Sequence, residues 1–381
     1  MRDFSKIKRV IVKVGSSSLV KDDLSINEQT IDFIMHSFFQ LKKEGIDPTL
    51  VTSGAVAIGI HELGLTSRPK EMSLKQACAS VGQAKLMEAY NQAASKYDLK
   101  TGQILLNHDD FQYRDRMLHL SSTLDAMFKN NIVPIINEND ALAVEEIKVG
   151  DNDTLASLIC PMIECDLLIL FSDIDGLFDK NPKENKDAKM IPLVTHIDES
   201  IISSASKGIS SVGTGGMKTK IKAALISTSS SSHMIICNAN KIPDLVSICK
   251  GEEIGTLFLS QAKTISSREN WMIFKAKSKG KIIVDNGCIE ALKRKKVSIL
   301  PKGIIEVKND FLKGEVIEVV DKNERIFAKG ICKFSSNEID RIKGKDSLFL
   351  PGILGYKCKD EVIHATDLVL LFDFDLKMFD M

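Results

Sequence analysis

Ile132-Val-Pro-Ile-Ile-Asn-Glu-Asn-Asp140, followed after nine intervening residues by Gly150-Asp-Asn-Asp-Thr-Leu-Ala-Ser-Leu-Ile159, decides how this chain is read. The apolar run Ile132 to Ile136 is strand-like, and Thr154 to Ile159 has helical character. Between them lie two polar loops, with Asn137, Glu138, Asn139 and Asp140 in the first and Asp151, Asn152 and Asp153 in the second. Turn formation and helix capping account for one or two such residues. The whole set suits a small zwitterion, whose ammonium needs carboxylates and whose carboxylate needs amide donors.

Similar apolar runs recur outward from this stretch: Arg9 to Val14, Thr49 to Thr52, Asp166 to Phe171 and His233 to Cys237. Helical periodicity occupies Ile31 to Leu41 and Leu74 to Ala94. Continuous rather than alternating apolar strands predict a mainly parallel sheet covered on both faces, an α/β three-layer sandwich. In such folds ligands sit beyond the carboxyl ends of the strands. Gly15-Ser-Ser-Ser18, Ser53-Gly54, Asn137 to Asp140 and Ser172-Asp173 all fall there.

After about residue 280 the texture changes to short β-branched runs separated by Gly turns, at Lys281–Val284, Ile304–Val307, Gly314–Val320 and Ile326–Cys332. These predict a small β-rich barrel. The expected division is a first domain over 1–262, a linker over 263–279, a β-rich domain over 280–360 and a tail over 361–381. The chain of 381 residues has zero formal net charge. Residues 275–345 nevertheless hold eighteen basic and ten acidic side chains, a local excess of +8. A basic module raises RNA binding as an alternative main role. Aromatic residues for base stacking are sparse, and Lys293-Arg-Lys-Lys296 is equally a solvated helix end.

No apolar run approaches the roughly 18 residues that span a membrane. The first residues lack a secretory h-region, so a cytoplasmic protein without membrane contact is expected. The eight cysteines show no C-x-x-C pair and the seven histidines no cluster. Reduced, buried thiols and no protein-held metal are the expectation.

Gly213-Thr-Gly-Gly-Met-Lys-Thr-Lys220 is a Gly-rich loop running into a helix, a geometry suited to phosphate although it departs from Walker A spacing. Lys13 interrupts an apolar strand directly before Gly15. Burial of a lysine there is costly unless it is paired or faces a site. Lys13 and Lys220 would neutralise charge on a transferring phosphoryl group, with magnesium bridging nucleotide phosphates. Asp153 would hold these lysines in position. A carboxylate acceptor is already ionised at neutral pH and needs no general base.

Five motifs, Ile11-Val-Lys-Val-Gly-Ser16, Val51-Thr-Ser-Gly-Ala55, Ile135-Ile-Asn-Glu-Asn-Asp140, Lys148-Val-Gly-Asp-Asn-Asp153 and Gly213 to Lys220, occur in this order. Together they resemble the amino acid kinase family, and within it the glutamate 5-kinase branch, which opens proline biosynthesis. Ile299-Leu-Pro-Lys-Gly303 and Phe311-Leu-Lys-Gly-Glu315 resemble the PUA domain that many of its members carry. The resemblance implies ATP and Mg2+ as cofactors and L-glutamate as acceptor, with proline as feedback inhibitor and a dimeric or tetrameric homo-oligomer. Position by position it assigns catalysis to Lys13, Lys220 and Asp153, and glutamate binding to Ser53, Gly54, Asn137, Asp140, Asp151 and Asn152. Nucleotide binding falls to Lys13, Gly15, Ser172, Asp173, Thr214, Gly215, Gly216, Met217, Lys218, Thr219 and Lys220. Free glutamate is favoured over N-acetylglutamate because acidic loops suit an ammonium.

Three features depart from the pattern. Ser172 replaces a common Thr and keeps the hydroxyl. Leu118-His-Leu-Ser121 lacks an expected arginine, and Pro161 should kink or shorten the helix after Asp153.

Overall fold

Strand β1 (Arg9–Val14) lies at the centre of an eight-stranded sheet of order β3-β4-β2-β1-β5-β7-β8-β6. Its neighbours are β2 (Asp47–Val51) and β5 (Leu167–Ser172), both parallel to it. The outer members are β3 (Lys100–Leu106), β4 (Ile132–Glu138), β6 (Leu193–Val194), β7 (His233–Asn238) and β8 (Thr256–Phe258). Every neighbouring pair is parallel except β7–β8. This computed structural model describes residues 2–142, 152–182, 184–198, 200–202, 216–261, 267–274 and 276–371.

Alternation along β1 sends Val10, Val12 and Val14 into one core with Leu50, Ile135 and Ile169, where helices α2 (Glu28–Lys43) and α4 (Met72–Ser95) cover the sheet. Ile31, Ile34, Met35, Phe38 and Leu41 form the buried stripe of α2, at the i, i+3, i+4 spacing of a helix face. Asn27 caps that helix by accepting from Thr30 N. Ile11 and Lys13 point to the opposite face, against which α6 (Asn152–Ile159) packs, beside α7 (Met217–Ser229). The predicted three-layer architecture is present.

Helix α6 stops at Ile159 and continues as a 3-10 turn, Cys160–Met162, so Pro161 shortens it as expected. α3 (Ala55–Glu62) crosses α4 with almost no space between backbones. A Cβ on Gly59 would lie 1.8 Å from Cys78 O, and one on Gly82 1.8 Å from Ala55 O. Only glycine permits this approach.

The chain divides into two compact units, at Ser266/Ser267. The second contains a five-stranded sheet of order β10-β9-β11-β12-β13. Its strands are β9 (Gly280–Val284), β10 (Ile304–Lys308), β11 (Val316–Val320), β12 (Ile326–Ile331) and β13 (Leu368–Leu370). Ile282, Ile317, Val319, Phe327 and Phe334 anchor its separate core. Two boundaries differ from expectation. β13 pairs with β12, so the sheet extends past residue 360. Ser267–Phe274, expected within a linker, forms a helix that belongs to the second unit. Among the described residues no helix is long and apolar enough to cross a membrane.

Candidate functional site

Three charged side chains from three elements meet above the carboxyl end of β1. Lys13 Nζ lies 2.6 Å from Asp153 Oδ1, and Lys220 Nζ lies 3.0 Å from Asp153 Oδ2. Asp153 is 2% exposed, Lys220 5% and Lys13 12%. Burial alone would push the Asp153 carboxyl up, but attraction to Lys13 and Lys220 outweighs it and holds its pKa at about 2. The result is a cationic pair clamped by one carboxylate, with an excess of one positive charge.

Local folding explains the convergence. Lys13 is carried on the face of β1 that meets α6, whereas Asp153 and Lys220 sit in the first turns of α6 and α7. Both helix N-termini direct backbone N–H groups and a favourable dipole toward this point. Thr219 donates to Gly216 O at 2.8 Å and lies 3.5 Å from Asp153 Oδ2. Gly216 has open space where a Cβ would stand, and a Cβ on Gly15 would lie 3.8 Å from Lys13 Nζ. Lys218 is exposed and Met217 half-buried on the same turn. At the neighbouring strand end Ser172 Oγ donates to Asp173 Oδ1 at 2.9 Å.

Adjacent to this cluster is a pocket of about 270 Å³ lined by Ser16, Ser53, Gly54, Arg68, Asn137, Asp140 and Asn152, with apolar residues of α3. Gly54 adopts φ +99° between β2 and α3, the left-handed region that favours glycine, and so turns Ser53 into the pocket wall. Asn152 Nδ2 reaches Thr52 O at 2.9 Å, Ser53 Oγ at 2.7 Å and Asn137 Oδ1 at 3.2 Å. Asp140 is largely withdrawn from water, which pushes its pKa up to about 6 despite the nearby Arg68 guanidinium. Its Oδ1 is buried without a partner among the described residues.

The structure thus gathers the sequence-predicted residues into two touching groups. Lys13, Asp153 and Lys220 form one; Ser53, Gly54, Asn137, Asp140 and Asn152 form the other, and the peptide bond Asn152–Asp153 joins them. Two placements are corrected. Asn137 and Glu138 belong to β4 and Asn152 and Asp153 to α6, so none of the four is a loop residue. Asp151, Thr214 and Gly215 lie outside the described residues. Leu118 to Ser121 fall on α5 (Arg114–Lys129), where Ser121 Oγ donates to Met162 O at 2.8 Å. Sequence reasoning missed Arg68, a loop cation on the pocket wall, and Gln83, a buried amide on α4 bonded to Asn137 at 2.9 Å. A polar residue on the buried stripe of a helix was the available signal for Gln83.

A buried lysine pair at two helix N-termini beside an amide-rich pocket has the features of a phosphoryl-transfer enzyme. The family model described as "Amino acid kinase family" matches residues 8–238, and that of the PUA domain matches residues 280–348. A glutamate 5-kinase of Caldanaerobacter subterraneus subsp. tengcongensis is 43% identical, with 95% of this chain and 98% of the relative covered. One from Thermoanaerobacter sp. is 41% identical over the same shares, and one from Pelobacter propionicus is 39% identical over 97% and 99%. This chain, a kinase, belongs to the amino acid kinase family and, within it, to the glutamate 5-kinases.

Proposed function

We propose that the protein transfers the γ-phosphoryl group of ATP to the side-chain carboxylate of L-glutamate, releasing ADP and L-glutamyl 5-phosphate. The observation that carries this reading is the Lys13–Asp153–Lys220 bridge directly beside a pocket holding Asp140 and Asn152. The glutamate oxygen attacks phosphorus as the bond to the β,γ-bridging oxygen breaks. That carboxylate is already ionised, so no side chain has to remove a proton. Lys13 and Lys220 face the negative charge spread over the transferring oxygens, and Asp153 fixes their spacing. The N-termini of α6 and α7 add oriented N–H groups. Gly15 and Gly216, with no side chain in the way, leave room for phosphate to approach.

Among the described residues no group of three or more His, Cys, Asp or Glu is placed to hold a metal ion. Magnesium fits this reading as a companion of the nucleotide phosphates, bound through them. In the pocket, Asp140 offers an anionic oxygen to the substrate ammonium and Arg68 a cation to its α-carboxylate. An N-acetylated substrate has no ammonium to meet Asp140. A cytoplasmic role in proline biosynthesis, a homo-oligomeric state and inhibition by proline belong to the same reading. Proline, a cyclised relative of the glutamate skeleton, would compete for this pocket. Unchanged glutamate turnover at millimolar proline would remove that part.

The test is ATP consumption by the purified chain with magnesium and, in turn, L-glutamate, N-acetylglutamate, aspartate, carbamate or UMP, with hydroxylamine to trap acyl phosphate. Glutamate-dependent turnover with hydroxamate formation is the expected result. Turnover only with another acceptor moves the substrate assignment elsewhere in the family.

A further inference from the structure

Gln83 does not line the pocket, yet it ends a chain of side-chain amides that does. It is 92% buried on α4, and its Oε1 accepts from Asn137 Nδ2 at 2.9 Å. That bond gives the Asn137 amide nitrogen its buried acceptor and anchors the side chain on α4. With its nitrogen turned to Gln83, Asn137 Oδ1 is left to accept from Glu138 N at 2.9 Å and Asn152 Nδ2 at 3.2 Å. Asn152 Nδ2 is thereby drawn inward, where Thr52 O and Ser53 Oγ also accept from it. The amide atom left over on Asn152 is Oδ1, which has no partner among the described residues. Asp140 Oδ1, on the same pocket, is likewise buried and unpartnered.

Two unpartnered buried oxygens on one small pocket call for a donor, and a carboxylate with an amide carbonyl suits a cationic one. If the Asn137 amide were reversed, its nitrogen would face Asn152 Nδ2, donor against donor. Asn152 would then have to turn over and bring its N–H2 group toward the ligand. The chain is therefore directional: Glu138 N–H, which can only donate, and Thr52 O, which can only accept, set its direction, and Gln83 closes its buried end.

We infer that Gln83 is a positioning residue that holds the Asn137 side chain, and through it Asn152, in place, and so supports the pocket's selection of an ammonium-bearing substrate. The inference rests on the proposed reading of that pocket as the glutamate site. Gln83 Nε2 has no partner among the described residues, so only the carbonyl half of the side chain carries the effect. Glutamate at this position retains the acceptor and loses no bond, whereas methionine removes the acceptor at similar volume.

The experiment measures kcat and KM for L-glutamate and for MgATP on the full chain, as wild type, Gln83→Met and Gln83→Glu. Glutarate, which lacks the ammonium, serves as comparison acceptor. Wild-type turnover with glutamate is recorded first, because its absence would refute the substrate reading and not the role of Gln83. Gln83→Met should raise KM for glutamate about tenfold and change KM for MgATP and kcat by less than about threefold. Its preference for glutamate over glutarate should fall about tenfold, and Gln83→Glu should restore glutamate KM to within about threefold of wild type. An unchanged glutamate KM in Gln83→Met, or equal rises for both substrates that Gln83→Glu does not rescue, would overturn the inference. Should Gln83→Met fail to fold, Gln83→Glu decides: near-wild-type KM and preference support the carbonyl role, and a tenfold rise refutes it.

Discussion

Replacing Asp153 with asparagine keeps the shape of the side chain and removes the charge that separates two buried lysines. In the native protein one oxygen meets Lys13 at 2.6 Å and the other Lys220 at 3.0 Å. Asparagine leaves a single acceptor, so one ammonium faces an N–H2 group and both lose their counter-charge. The depression of Asp153 from 3.8 to about 2 corresponds to roughly 2 kcal/mol of stabilisation at neutral pH. Stripping a partner from a fully buried ion pair costs about 3–5 kcal/mol, and partial exposure of Lys13 keeps the expected loss near the lower figure. The sign follows from the direction of the shift. The native pKa lies below the unfolded one, so this stabilisation is present above about pH 4 and is lost as pH falls through about 2. Urea unfolding should therefore show Asp153→Asn less stable by about 2–3 kcal/mol at pH 7, with the gap narrowing in acid below pH 4. In the coupled ATP assay kcat should fall by about a hundredfold, because the two cations no longer hold the spacing that phosphoryl transfer needs. A variant as stable as wild type at pH 7, with kcat within about threefold, would refute the clamp.

Other perturbations separate the two halves of the site. Lys220→Ala should lower kcat by about a hundredfold or more with little change in glutamate KM; steady-state kinetics showing the reverse split would overturn its role. Asp140, raised to about 6, should be ionised above that pH, so glutamate KM should climb as pH falls through 6. Asp140→Asn should abolish this dependence and weaken glutamate binding about tenfold or more, yet stabilise the free protein at pH 7 by up to about 3 kcal/mol. Opposite movement of the thermal midpoint would contradict the burial cost. Gly54→Ala places a Cβ 3.3 Å from Val20 Cγ2 at φ +99°, and a lowered urea midpoint equivalent to about 1–2 kcal/mol is expected. An unchanged midpoint would show that the turn relaxes freely.

Much of this was legible because a buried parallel strand must be apolar along its whole length. β1, β2, β4, β5 and β7 all announced themselves in that way. β3 did not, being an edge strand whose first half, Lys100 to Gln103, carries no aliphatic side chain. β6 and β8, of two and three residues, are too short for any pattern to register. Helix α6 was foreseen, but its start was read two residues late, because Asn and Asp favour caps and turns over helix interiors. The lysine–carboxylate cluster could be anticipated since a lysine in an apolar strand requires a partner. Gln83 could be noticed as a polar residue on a buried helix stripe, but neither it nor Arg68 could be assigned to the site, because nothing local ties a mid-helix amide or a surface-loop cation to residues about fifty and seventy positions away.

The crossing of α3 and α4 through Gly59 and Gly82 has a practical consequence for redesign. There α3, which forms one wall of the pocket, rests main chain against main chain on α4, so the wall cannot be drawn back to make room. Substitutions at the crossing can only push the helices apart and drag Ser53 with them. Residues 63–71, the mostly exposed connection that carries Arg68, bear no such restriction. An engineer seeking a bulkier or differently charged acceptor would rebuild that connection and leave the glycine crossing untouched.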